Sequence, residues 1–395
     1  MNNNSKFRSF NQLLSKSKPW YKRVSLFIAS VCILFLIIGQ LTTIQPAYRL
    51  SSSTINEWTS QINGSSFLYL MQMENRTFEL AFPDEVESIE MSDLFFEMAT
   101  SVKPNDPRSL LGRELPGFDA YDRKIVVAGE GTNFTNLAVE SSPPLDVVLE
   151  ERPTNVTDKE IEGSDIPDQS REDQPTTGDK DVVFIYTTHN RESYLPHISG
   201  ATEPNDAFHS EVNITNVSER LAKSLRANGI GTQVDKTDIP TILSKNDWGY
   251  PQSYSASKSV VKQALANNRE IQYIFDLHRD AQRKDITTAK IDGKNYAKLY
   301  FIIGSDNPNY EKNLKLATDL HDKIDEQYPG LSRGVEMQGG TGNNGVYNQD
   351  LSGNAILIEF GGVDNTFEEL YRTADVLAEI FSEYYWEAEK VQGTP

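Results

Sequence analysis

VFIYTTHNRESYLP, residues 183–196, begins with four apolar residues in a row and then stops at Thr-Thr-His-Asn-Arg-Glu. A short, unbroken apolar run that ends in polar residues has the texture of a strand covered on both faces. It ends by placing His189 and Glu192 three residues apart, just past its last apolar position. In open α/β sheets ligands collect outside the carboxyl ends of parallel strands, so the ending matters as much as the run.

The rest of the region after Asp181 repeats that texture. NVSERLAKSLRANGIG carries Val217, Leu221 and Leu225 at four-residue steps and closes at Gly229, the pattern of a capped amphipathic helix. TQVDKT reads as a short strand, and SYSASKSVVKQALANNR as a helix that Ser253 or Ser255 caps. IQYIFDLH, KLYFIIGS and NAILIEFGG are further buried strands. NYEKNLKLATDLHDKIDEQYPG and TFEELYRTADVLAEIFSEYYWEAE are helices, the first closed by Pro329-Gly330. Apolar strands alternating with helices predict an α/β fold over 181–390, a mostly parallel sheet covered by helices. No internal repeat is present.

All five histidines lie between residues 189 and 321. His189 and Glu192 follow one strand, His278 closes a second, and Glu359 ends a third. Three strands are thus expected to deliver two imidazoles and two carboxylates to one edge. A catalytic zinc takes three nitrogen or oxygen ligands from the protein and leaves a position for water. His189, Glu192 and His278 form such a His-Glu-His set, with Glu359 free to move a proton between water and a leaving amine. The expected reaction class is amide hydrolysis. Against this stand structural readings: His278 paired with Asp276 or Asp280, and Glu359 paired with Arg279. His209 is the substitute ligand if Glu192 does not bind metal. His197 and His209 lie in a loop that lines the cleft in this reading, and His321 sits on an exposed helix face with Asp325 four residues on.

Other chemistries lack their residues. The only cysteine, Cys32, excludes a thiol nucleophile or Cys-ligated zinc outside the apolar N-terminal segment. No G-x-S-x-G elbow appears. GGTGNNG, 339–345, lacks the Lys-Ser/Thr of a phosphate loop and is read as a rim loop over the cleft.

Residues 1–23 hold six cations and no acid, which leaves −25 for the remainder of a chain whose total is −19. So acidic a body repels nucleic-acid phosphates. Between the two lies VSLFIASVCILFLIIGQL, residues 24–41, with no charge; as a helix it spans about 27 Å, near the hydrocarbon thickness of a bilayer. The flanking charge predicts a basic cytoplasmic tail (1–23), a single transmembrane anchor (24–41) and an exported body. A cleaved signal peptide is the alternative, though its apolar stretch normally runs about 7–15 residues. Residues 50–140 read as an extracytoplasmic spacer or small domain. Residues 141–180, rich in Pro, acids and small polar groups, read as an acidic flexible linker.

IYTTHNRESYLP, FDLHRDA and YNQDLSGNAILIEFGGVDNTFEELYRTADVL resemble, in order, motifs of the stage II sporulation protein P family, membrane-anchored peptidoglycan hydrolases of endospore-forming bacteria. The similarity covers roughly 181–390. It implies a fold like the zinc N-acetylmuramoyl-L-alanine amidases, with His189, His278 and Glu192 on the metal and Glu359 catalytic. It further implies cleavage of the muramoyl-L-alanine amide and of peptide cross-links, in septal thinning and engulfment. Expected partners are stage II sporulation proteins D and M, at the septal membrane. Where members of the family often read His-Thr-His, this chain has Thr187-Thr188-His189. The common amidases also space their first histidine and glutamate more widely than H-x-x-E. A zinc carboxypeptidase shares that spacing and is the rival enzyme; a non-catalytic wall-binding scaffold is the rival outside enzymes.

Overall fold

The computed structural model describes residues 123–164, 175–340 and 343–392. The chain divides into two units, Met1–Asp106 and Pro107–Pro395, and every described residue belongs to the second. The expected basic tail, the apolar segment 24–41 and most of the 50–140 spacer lie outside the described residues. Among the described residues no helix is long and apolar enough to cross a membrane.

A seven-stranded sheet organises the unit. Its strands are β1 (Lys124–Ala128), β2 (Asp181–Tyr186), β3 (Gly231–Val234), β4 (Tyr273–Asp280), β7 (Leu299–Gly304), β8 (Ser332–Gln338) and β9 (Ala355–Gly362), in the order β1-β8-β7-β9-β4-β2-β3. A small hairpin, β5 (Thr288–Ile291) and β6 (Lys294–Ala297), stands apart. The expected α/β class and the predicted strands are present. The pairings β3-β2, β2-β4, β4-β9 and β7-β8 are parallel, whereas β7-β9 and β1-β8 are antiparallel. The reversal has a cause. A parallel return needs a crossover, usually a helix, to carry the chain back across the sheet. After β4 the chain forms only the one-turn helix α6 (Lys284–Thr287) and the β5-β6 hairpin, so it re-enters the sheet from the edge where it left.

Strand alternation sorts the two faces. Val183, Ile185, Phe275, Leu277, Phe301, Ile356, Ile358 and Phe360 point into the main core. That core is closed by α3 (Ile214–Ala227), α7 (Tyr310–Gln327) and α8 (Phe367–Gln392). Helix α3 ends as its sequence predicts, with Asn228 as the cap and Gly229 at φ +81°. The opposite face is covered over β2 and β4 by α5 (Ser253–Asn267), through Val261 and Ala264 against Phe184, Tyr186 and Ile274. Ser253 does not cap α5 as expected; its hydroxyl donates back to Tyr250 O, and neither it nor Gln252 offers a side-chain cap.

Three expectations are corrected. Residues 141–164 are not a free tether: they form α1 (Leu145–Leu149) and α2 (Asp158–Glu162), Val148 is fully buried against α4 (Ile239–Lys245), and Tyr371 donates to Ile161 O. The spacer boundary at 140 also fails, because β1 and residues 136–141 are built into this unit. Finally, the described ends of the 339–345 loop, residues 339–340 and 343–345, pack beyond the end of β7, where Asp306 N donates to Gly345 O at 2.9 Å, not over the carboxyl ends of β4 and β9.

Candidate active site

The site follows from the same alternation. If Leu277 and Ile358 point into the main core, His278 and Glu359 must point to the other face. They are direct register partners on the adjacent parallel strands β4 and β9, buried to 1% and 5% exposure. Asp276 and Asp280 share that face of β4. Just beyond Phe360 the chain needs two glycines. Gly361 has φ +61°, and a Cβ on Gly362 would lie 2.3 Å from Gln282 O, so side chains at these last two positions of β9 would be strained or would clash with the segment after β4.

His189 and Glu192 lie past the end of β2 on a turn closed by Glu192 N to His189 O at 2.9 Å. The turn is pinned on several sides. Ser193 N donates to Ala207 O, Ile239 N to Asn190 Oδ1, and Arg191 grips Asp238 through Nε (3.0 Å) and Nη2 (2.8 Å). The His189 and His278 rings are 5.1 Å apart, and Glu192 Oε2 lies 4.0 Å from His278 Nδ1 while accepting from Arg279 N at 3.0 Å. The four residues singled out from sequence therefore meet at one place. Two tyrosines wall it: Tyr250 packs 4.6 Å from the His189 ring, and Tyr254 stacks 6.1 Å from His278.

The rival structural pairings resolve differently. His278 Nε2 does face Asp276 Oδ1, at 3.2 Å, and Asp276 is itself held by the Thr188 amide and hydroxyl. Glu359 does not pair with Arg279, whose guanidinium instead donates to Ser141 Oγ and lies 5.7 Å from the Phe208 ring. His209 is placed apart from the cluster: its Nδ1 accepts from the amides of Glu211 and Val212, and its Nε2 looks towards Glu151 at 3.7 Å. His197 is not a cleft residue, since Nε2 accepts from Phe367 N at 3.0 Å and the ring stacks 4.3 Å from Phe367. His321 is buried, not exposed, and its Nδ1 meets Ser332 Oγ at 2.8 Å.

One member came from outside the motifs. Glu140 Oε1 lies 2.5 Å from His189 Nε2, with 40% of its side chain exposed at the mouth of the site. A lone Glu in a polar stretch has no local signal; only the fold brings it here. Burial opposes its charge, but His189, then His278 and Arg123, hold its carboxyl below the ordinary range. Burial also disfavours charge on His278, yet Asp276, Glu192 and Glu359 outweigh it and raise the ring to about 10. Glu359 is pushed well above the carboxylate range, first by burial and then by Asp280, Glu192 and Glu140, against the pull of His278. Its burial inside a ring of acids suits a carboxyl that carries a proton between partners.

As placed, no three His, Cys, Asp or Glu side chains among the described residues converge tightly enough to grip a metal ion. The donor set nonetheless has the composition of a zinc site, two imidazoles and a carboxylate. Three of its buried atoms also stand without hydrogen-bond partners: His189 Nδ1, Glu192 Oε1 and Glu359 Oε2. Buried polar groups without partners are uncommon, and several in one cluster point to a missing charged neighbour.

The family model of Stage II sporulation protein P (SpoIIP) matches residues 105–382, a span that starts at the edge of the described unit and far upstream of the motifs. Stage II sporulation protein P of Bacillus subtilis (strain 168) is 47% identical over 372 residues, covering 94% of this chain and 92% of that protein. Among solved structures, the N-acetylmuramyl-L-alanine amidase Ami1 from Mycobacterium smegmatis is 12% identical, over 51% of this chain and 95% of that one, with a TM-score of 0.30. The CwlD amidase from Clostridioides difficile, in complex with the GerS lipoprotein, is 11% identical over 51% of this chain and 98% of its own, also at 0.30. By the family match and the near-complete relative, the chain belongs to the stage II sporulation protein P family.

Proposed function

We propose that this sporulation protein is a zinc-dependent peptidoglycan hydrolase that cleaves the amide between muramic acid and L-alanine, and peptide cross-links as an endopeptidase. One observation carries the reading. His278 and Glu359 sit side by side on adjacent strands, buried, with His189 and Glu192 brought against them from the end of β2. His189, Glu192 and His278 would hold the metal. Zinc, when bound, supplies a Lewis acid that polarises the amide carbonyl and acidifies water. Glu359 takes the proton released by the attacking water and gives it to the leaving amine, a role suited to its raised affinity for a proton. Arg279 N fixes one oxygen of Glu192, and Asp276 steadies His278, so both side chains keep their aim. Tyr250 and Tyr254 exclude water from one side.

Membership of the family supports the setting: an anchor at 24–41, an outward-facing catalytic unit at the septum, action in septal thinning and engulfment, and stage II sporulation proteins D and M as partners. The experiment is Glu359→Gln in the full chain. It is expected to keep its zinc and to lose at least about 100-fold in hydrolysis of peptidoglycan. Zinc lost along with activity would make Glu359 a ligand, and activity retained would remove it from the mechanism.

A further inference from the structure

Glu140 enters the site on a strap that is built into the fold. Residues 136–141 cross the end of β4, held through their backbone. Asp280 Oδ1 accepts from Val139 N at 2.9 Å, Ala281 N donates to Val139 O at 2.8 Å, and Gln282 Nε2 donates to Leu137 O at 2.8 Å. Arg123 and Arg333 donate to the carbonyls of Ala138 and Asn136. The Val139 side chain is 46% exposed, so the strap is not anchored by burying that residue. Ala138 is buried within the cluster that includes Tyr254, and the Glu140 side chain reaches His189.

A neutral imidazole has one N–H and one lone pair, and a metal takes the lone pair. Each site histidine has a carboxylate against the same ring atom. Glu140 Oε1 stands 2.5 Å from His189 Nε2, and Asp276 Oδ1 stands 3.2 Å from His278 Nε2. On the other side of the His278 ring, Glu192 Oε2 faces Nδ1. An ionised carboxylate only accepts, so at His189, where Glu140 meets Nε2 alone, it favours the tautomer with the proton on Nε2 and the lone pair on Nδ1. We propose that Glu140 is a positioning residue: it holds the proton on His189 Nε2, so that Nδ1 is the atom offered to the metal. Glu140 meets His189 from the upstream strap at the same ring atom, Nε2, at which Asp276 meets His278 from within β4. The consequence for metal binding rests on the zinc reading above; the tautomer does not.

Two readouts on the full 395-residue chain test this. The first uses the metal-free protein labelled with 15N-histidine, which reports only five residues, at a pH above the ordinary imidazole range. The wild type is expected to show His189 with its proton on Nε2, and Glu140→Ala to show that preference lost. A wild-type proton on Nδ1, or no change in Glu140→Ala, overturns the proposal. The second is zinc affinity by competition with a chelator. Glu140→Ala is expected to weaken zinc about 10–100-fold, with Glu140→Gln, which keeps an acceptor, in between and the melting temperature of the metal-free protein unchanged. Unchanged or tighter zinc in Glu140→Ala overturns it, the tighter case making Glu140 a plug. A wild type that binds no zinc sinks the zinc reading alone and leaves the tautomer to decide on Glu140.

Discussion

His197 ties the stability of the fold to pH, and its size can be worked out. Its ring is buried between the loop after β2 and the start of α8, with Nε2 accepting from Phe367 N. Burial lowers its affinity for a proton from 6.5 to about 4, more than the nearby Glu160 and Glu369 restore. Below about pH 6.5 the unfolded chain therefore binds a proton that the folded one refuses, and stability falls as the pH drops towards 4. At 1.36 kcal/mol per unit, the loss between about pH 7 and about pH 5 comes to about 2 kcal/mol. His197→Gln keeps an acceptor near the Nε2 position and does not titrate. In urea unfolding of the 107–395 fragment, the variant is expected to lose some stability at pH 7 with the stack on Phe367. Its further loss on going to pH 5 should be about 2 kcal/mol smaller than that of the wild type. Equal losses in the two proteins would refute the argument.

Asp280→Ala removes the partner of buried Arg333 and the acceptor of the Val139 amide, and should destabilise the unit by about 3–5 kcal/mol in the same assay; a loss under about 1 kcal/mol would contradict the buried pair. A fragment cut to 181–395 keeps every motif but lacks β1, Arg123 and the strap. It should melt without a cooperative transition, because β8 becomes an open edge and buried Glu336 loses the Arg123 guanidinium 3.5 Å away, whereas 107–395 melts cooperatively. The same melting temperature for both fragments would show that the upstream segment is dispensable.

The elements legible in the sequence are those whose side chains are simple. The buried strands β2, β4, β7 and β9 announced themselves by apolar runs, and His189, Glu192, His278 and Glu359 by standing where those runs end. Strand β8 did not, because SRGVEMQ carries Arg333 and Glu336 in its interior. Their charges are tolerable only because Asp280 and Arg123 reach them from distant parts of the chain. The region 141–164 misled for a related reason. Its polar composition argues for a tether when its apolar residues are counted alone, yet Val148 and Ile161 pack on surfaces that other elements supply. Glu140 was beyond reach altogether: its role depends on contacts to residues up to 197 positions away from the strap it rides on. Local pattern thus marked the edge that carries the candidate site, and long-range pairing decided what completes it.

The same division bears on how the activity is organised. One face of the sheet is a closed apolar core, and the other carries Asp276, His278, Asp280, Tyr300, Glu336 and Glu359. Ordering that face takes the strap, β1 and the turn at His189 together, so the candidate site depends on residues well upstream of the motifs.

The central claim is tested most directly by incubating purified protein with peptidoglycan and sequencing the products. The account predicts released stem peptides with a new N-terminal alanine, formed with zinc, abolished by a chelator and restored by zinc. Full hydrolysis by protein verified to be metal-free, or products that lack only a terminal residue of the stem peptide, would contradict it.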